Sequence, residues 1–185
     1  MSALRATEQV VTAPPVTDDL FRSVFRDHAA GVVVVTAPGD PEHPTPVGLT
    51  ATSLTSLSMS PPLVSFAVSR ASSAWPGLSL SSRLAVHFLG QDHGWLARRF
   101  ATSGIDRFAA PVAWNWSRTG EPVLTDCAAY LSCRVDRHVP AGDHVLVIAE
   151  VTGADVADSG DPLLYHAGGY AALAPVPAAA DRPQL

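Results

Sequence analysis

The chain reads as a mainly β domain, an antiparallel barrel with short helices, and three observations point there. Short apolar runs rich in Val, Leu and Phe recur between turn residues from Val32 to Leu173. Only two or three segments carry a helical stripe, so the order of elements is not that of a βαβ array. No Gly-x-Gly-x-x-Gly follows an apolar run, and a doubly wound dinucleotide sheet is therefore not supported. At 185 residues and 47% hydrophobic, the chain is long and apolar enough for one domain with a substantial core.

Residues 1–16 are small and polar, include Pro14-Pro15, and read as a flexible arm. Thr17-Asp18-Asp19 caps a helix from Leu20 to about His28, with Leu20, Phe21, Val24 and Phe25 as its stripe. Gly31 ends that helix and a buried strand follows at Val32–Thr36. Residues 37–46 hold four prolines and form a loop. Two strands come next, near Val47–Ser60 and Leu63–Ser69, broken at Pro61-Pro62. Ser72-Ser73 starts a short helix through Leu80, Leu84–Leu89 is a strand, and Asp92 caps a helix carrying Trp95, Leu96 and Phe100. Thr102 to Glu121 is loop-like, with Trp114 and Trp116 alternating. Strands resume near Ala128–Val135 and His144–Val156, and a short pair lies near Leu163–Tyr165 and Tyr170–Leu173. From Ala174 onward Ala and Pro dominate and read as a flexible tail, which leaves 17–173 as the folded domain.

Composition removes several classes of function. Twelve basic against seventeen acidic residues give a net charge of −5, with no basic cluster beyond Arg98-Arg99, so electrostatic nucleic-acid binding is not expected. All the basic residues are arginine, which excludes Schiff-base chemistry and a lysine-bearing phosphate loop. Any anionic phosphate must be held by Arg, hydroxyls or backbone N–H groups. Cys127 and Cys133 stand six apart and read as two reduced, buried thiols. No His pair has a metal-ligand spacing; His138 and His144 flank a Pro-Ala-Gly turn without a second ligand. The N-terminus lacks the apolar core of a signal peptide and no run reaches membrane-spanning length, so the expected location is the cytoplasm.

The most informative stretch is GLTATSLTSLSMSPPLVSFAV, Gly48 to Val68. Between Thr50 and Ser60 it carries seven hydroxyl side chains in eleven residues. Leu57 and Met59 alternate with Ser56, Ser58 and Ser60, giving one greasy face and one hydroxylated face. Such a strand packs on a core while offering neutral donors and acceptors, which suit a large flat ligand with polar edges, such as a flavin. The same residues also allow a solvated outer strand. Taken alone, Arg99 reads as a solvent-facing helix arginine and His144 as a turn residue after Gly142-Asp143. Tyr165 and Tyr170 fit core or interface positions equally well.

Four further blocks follow the same order along the chain: FRSVFRDHAAGVVVVTA at Phe21–Ala37, RRFATSGIDRF at Arg98–Phe108, AGDHVLVIAEV at Ala141–Val151 and PLLYHAGGY at Pro162–Tyr170. With the hydroxyl-rich run they resemble the flavin reductase-like family of the FMN-binding split-barrel superfamily, over Leu20 to Leu173. The resemblance implies an antiparallel Greek-key split β-barrel and a flavin reductase. NADH or NADPH would reduce FMN or FAD by hydride transfer, and the reduced flavin would leave for a flavin-dependent monooxygenase partner. It also implies a homodimer with the flavin near the subunit interface. Flavin contacts are expected at Pro46, Val47, Gly48, Leu49, Thr50, Thr52 and Ser53, and on the next strand at Ala67, Val68 and Ser69. Ser73, Ala74, Arg99 and Phe100 fall at the phosphate end, with Arg99 as its cation. His144 is implied as the catalytic residue beside the nicotinamide, and Tyr165, His166, Ala167, Gly168 and Tyr170 as the segment touching the pyridine nucleotide. This chain has Thr52 where the family often has Asn, which implies fewer amide-type bonds, and Ala167 and Gly169 where Arg is frequent, so a weaker grip on the nucleotide phosphates is expected. A tightly flavin-bound oxidase of the same fold, or a flavin-binding module without hydride transfer, are the alternatives.

Overall fold

A computed structural model describes residues 13–40, 42, 45–157 and 160–174. Most of the expected arm and tail, residues 1–12 and 175–185, lies outside the described residues. Helix α1 spans Asp18–Arg26, with the Thr17 hydroxyl accepting the Leu20 N–H at 3.2 Å and acidic residues in its first turn, the cap that the sequence predicts. Its apolar side chains, however, stay exposed: Phe21 is 57% exposed and Val24 64%.

The strands are β1 (Ala30–Gly31), β2 (Val33–Ala37), β3 (Val47–Ala51), β4 (Thr55–Met59), β5 (Pro62–Ser69), β6 (Arg83–Phe88), β7 (Trp114–Trp116), β8 (Pro122–Leu124), β9 (Ala129–Ala141), β10 (His144–Val156), β11 (Leu164–His166) and β12 (Gly169–Ala171). Helix α2 (Trp75–Leu80) lies between β5 and β6; a 3₁₀ turn at Gln91–His93 and helix α3 (Gly94–Ala101) follow β6. Seven strands form one antiparallel sheet in the order β3-β2-β6-β9-β10-β5-β4. β1, β11 and β12 make a small separate sheet, and β7 pairs with β8. This is the expected mainly β, antiparallel architecture.

The sheet curls round a core of Val33, Val35, Leu49, Phe66, Val68, Leu84, Val86, Val145 and Val147. Val32 and Val34 point the other way, into a second cluster with Leu96, Phe100, Phe108, Leu124 and Leu163. β2 is buried on both faces, which is why its sequence is an unbroken apolar run rather than an alternating one. The curl is closed by a side chain. β3 and β5 share no backbone ladder, but the Ser53 hydroxyl accepts the Ala67 N–H at 2.9 Å and donates to the Ala67 carbonyl at 3.3 Å. One serine stands in for a missing rung at the seam.

Several elements differ from the sequence reading. The expected strand from Val47 to Ser60 is two strands, parted at Thr52–Leu54, where the chain leaves β2 and turns to pair with β5. The β4 residues Leu57 and Met59 are 48% and 85% exposed, so the greasy face expected to pack on the core does not do so in this chain. β9 runs to Ala141, six residues past the expected end, because its exposed second half is paired to β10 across the Gly142-Asp143 turn, where Gly142 adopts φ 63. Trp114–Trp116 is a strand and not a loop, and Asp92 does not cap α3, whose N-cap is His93.

His87, on β6, is wholly buried between the sheet and the β8 segment. Its Nδ1 lies 3.1 Å from the Val34 carbonyl and its Nε2 accepts the Leu124 N–H at 3.0 Å. A neutral imidazole with Nδ1 protonated satisfies both contacts. Burial pulls its pKa down from 6.5 to about 4, against a smaller upward pull from the Val34 carbonyl. Cys127 and Cys133 are free and buried, and burial pushes both thiols up to about 12, so neither is a nucleophile. No helix among the described residues is long and apolar enough to cross a membrane.

Candidate active site: a cleft along the β3–β5 seam

The seam closed by Ser53 opens into a cleft of about 400 Å³. It is lined by Leu49, Thr50, Ala51, Thr52 and Ser53 on one side of the seam and by Ala67, Val68 and Ser69 on the other. Phe100, Ala101 and Ser103 close one end with Arg107, and His144 borders it next to Ser69, its register partner across β10 and β5. β3 is a terminal strand of the sheet, so one edge of its backbone has no ladder partner and faces this region. The lining holds one guanidinium and no carboxylate side chain. A second cleft, of about 310 Å³, is lined instead by Asp92, Asp126 and Asp161 with no arginine. Of these two, the seam cleft is the one that suits an anion.

The hydroxyls divide into two sets. Thr50 donates to the Ala97 carbonyl at 2.6 Å and thereby ties β3 to α3, while Ser53 is consumed in closing the seam. Ser69 and Ser72 accept backbone N–H groups from Ala71 and Ala74, leaving their own protons to donate. Thr52 and Ser103 make no hydrogen bond among the described residues. The residues present fit a flavin: a flat slot between two strands, exposed hydroxyls, unpaired backbone and a single cation at one end. Among the described residues no three His, Cys, Asp or Glu side chains converge on a metal position.

Of the residues expected to touch a flavin, Leu49, Thr50, Thr52, Ser53, Ala67, Val68, Ser69 and Phe100 line this cleft, and His144 joins them. Pro46, just before β3, Val47 and Gly48 at its start, and Ser73 lie outside the lining, and Ala74 is buried in the barrel core. Gly48 has a packing reason to be glycine. A Cβ there would lie 2.7 and 2.9 Å from the Phe100 ring and 3.0 Å from the Val35 carbonyl. Gly48→Ala is expected to cost about 1–3 kcal/mol of stability, read by denaturant unfolding, because the ring must leave its place in the second core.

Arg99 does not point into the cleft. Its guanidinium donates to three carbonyls, Arg107 at 2.9 Å through Nε and Asp106 and Ala109 at 2.8 and 3.0 Å through Nη2. The cation that does line the cleft is Arg107, whose Nη2 donates to the Ser73 hydroxyl at 2.9 Å and whose Nε donates to the Thr102 carbonyl at 2.9 Å. Sequence reasoning missed Arg107, Ala51, Ser72, Ala101 and Ser103. Arg107 stands within the RRFATSGIDRF block, but nothing in its spacing tells which of three arginines faces inward.

The segment expected to touch the nicotinamide is the β11–β12 hairpin, and none of Tyr165, His166, Ala167, Gly168 or Tyr170 lines the cleft. Tyr165 and Tyr170 meet edge to face at 5.7 Å, and the Arg98 guanidinium lies 5.1 Å from the Tyr170 ring centroid. α3 presents Arg98 to this hairpin and its last turn to the cleft. His144 is more directly placed: its Nδ1 lies 2.8 Å from an Asp143 carboxylate oxygen. The hydrogen bond and charge of His144 hold the Asp143 carboxyl below the ordinary carboxylate range.

The profile of the flavin reductase like domain matches residues 25–174. The chain belongs to the flavin reductase-like family. An NADH:FMN oxidoreductase of Rhodococcus qingshengii is 42% identical over 154 residues, covering 81% of this chain and 79% of that one. The reductase component of a 4-nitrophenol 4-monooxygenase/4-nitrocatechol 2-monooxygenase from Rhodococcus opacus is 36% identical over 155 residues, 84% of this chain and 80% of its own. Among solved structures, the NADH:FAD oxidoreductase SgcE6 of Streptomyces globisporus, in complex with NAD and FAD fragments, superposes with a TM-score of 0.79 at 32% identity, covering 90% of this chain and 100% of that one. The split-barrel fold expected from the sequence is thereby shown, and the chain is a flavin-reducing oxidoreductase.

Proposed function

We propose that the seam cleft is where this reductase binds flavin and where NADH or NADPH reduces it, the reduced flavin then leaving for a separate monooxygenase. The observation that carries this reading is the pairing, in one cleft, of neutral hydroxyls and unladdered backbone with a single arginine at one end and His144 along its border. Bound flavin supplies the ring that accepts hydride. The protein's work is placement. Thr52, Ser69, Ser72 and the β3 edge offer hydrogen bonds to the ring and ribityl chain, and Phe100 and Ala101 exclude water from one end. Arg107 supplies charge for a phosphate, and Ser73, which accepts from it, keeps its own proton for the same group. His144 is assigned to the nicotinamide side, as the group that orients the donor ring or delivers a proton beside the flavin. The Tyr165–Tyr170 hairpin, beyond α3, is assigned to the part of the nucleotide that extends out of the cleft.

A homodimer is part of the proposal. The exposed apolar side of α1 and an apolar cleft of about 350 Å³ lined by Leu54, Met59, Leu63, Phe88, Leu131 and Val151 are surfaces that a second copy would cover. We also place the enzyme in the cytoplasm and residues 17–173 as its catalytic domain. Steady-state consumption of NADH and of NADPH, each with FMN and with FAD, tests the reading together with gel filtration. Turnover that needs added flavin and saturates in both substrates supports it. A protein that stays yellow through the column and gains nothing from free flavin favours the tightly bound oxidase.

A further inference from the structure

We infer that Arg99 is a positioning residue that fastens the 106–109 turn through three backbone carbonyls, so that Arg107 is held facing the phosphate end of the cleft. This rests on the reading of the seam cleft as the flavin site.

Arg99 sits in the last turn of α3, half-buried, and spends its fork on the carbonyls of Asp106, Arg107 and Ala109. Those bonds turn the three carbonyl oxygens of the loop toward α3. The loop is pinned from its other side as well. The Asp106 carboxylate accepts the Phe108 N–H at 2.9 Å, and the Phe108 ring is wedged edge-on between Phe100 and Trp114, 5.2 Å from each. Between these anchors the Arg107 side chain runs to the cleft. There Nε and Nη2 bond to Thr102 and Ser73, while Nη1 makes no hydrogen bond among the described residues. Arg107 is thus braced on two sides with donors left over, as a phosphate ligand must be. A lysine at 99 would keep the charge but lacks the planar fork needed to span three carbonyls.

Dissociation constants for FMN and for riboflavin, which lacks the phosphate, read the inference directly. Arg107→Ala is expected to weaken FMN about 10- to 100-fold, the loss of one charge-assisted hydrogen bond, and to leave riboflavin nearly unchanged. Arg99→Lys and Arg99→Gln should reproduce that FMN-specific loss. Either change added to Arg107→Ala should then cost FMN nothing more, because both act through one group. The inference fails if Arg99→Lys binds FMN as the wild type does, if the losses in the double variant multiply, or if riboflavin weakens in step with FMN. It fails equally if neither Arg99 variant folds, since the role would then not be confined to the loop. Arg107→Ala leaving FMN affinity intact would instead refute the cleft as the flavin site.

Discussion

His144→Ala is expected to slow the single-turnover reduction of bound flavin by NADH about 100-fold, with flavin affinity almost unchanged. The imidazole stands at the first residue of β10, fixed by pairing to Ser69 on one side and Ala141 on the other, on the border of the cleft. Asp143 engages Nδ1, which directs the remaining nitrogen away from the carboxylate. Asp143 is 91% exposed, so the pair adds little to folding and its value lies in orienting the ring. Two roles separate in the kinetics. Orientation of the nicotinamide predicts a raised KM for NADH in the variant; delivery of a proton predicts a lowered kcat and a lost pH dependence. A histidine that merely shapes the turn predicts ordinary kinetics with reduced thermal stability, and unchanged reduction rates would remove His144 from the site.

Acid should destabilise this protein through a residue far from that chemistry. The unfolded chain binds a proton at His87 near pH 6.5, the folded one only near pH 4. The unfolded state therefore holds more protons between those values, so stability is complete above pH 6.5 and falls as the pH drops toward 4. A shift from 6.5 to about 4 corresponds to about 3 kcal/mol. His87→Gln keeps a donor for Val34 and an acceptor for Leu124 but does not titrate. Denaturant unfolding of both proteins from pH 7 to 4 should show the wild type losing about 3 kcal/mol more than the variant over that range. Parallel curves would show that His87 does not sense pH.

The strand order and the cleft were legible to different depths. Val32 to Val35 announces a strand buried on both faces, and the helix cap at Thr17 is written in the Thr-Asp-Asp run. The hydroxyl-rich segment contributes to the proposed cleft through only some of its residues. Thr52 and Ser53 reach the cleft, whereas Ser56 and Ser58 line a different, apolar cleft with Leu54, Leu131 and Val151, because the chain breaks at Thr52–Leu54 and starts a new strand. Periodicity cannot register such a break when every residue through it is small and polar. Arg99 and Arg107 could not be ranked from the sequence either. Which guanidinium serves the loop and which the cleft depends on the three carbonyls that the 106–109 turn directs at α3. His87 and the β3–β5 seam involve partners 53, 37 and 14 residues distant, contacts that no local pattern encodes.

The central claim is that flavin is reduced in the cleft between β3 and β5. Anaerobic mixing of NADH with excess FMN tests it, in the wild type and in Ala67→Trp, which fills the cleft between its two walls. The wild type should bleach many flavins per protein, and the variant, shown folded by its thermal melt, essentially none. A wild type that consumes neither nicotinamide cofactor, or a folded Ala67→Trp that turns over undiminished, would contradict the claim.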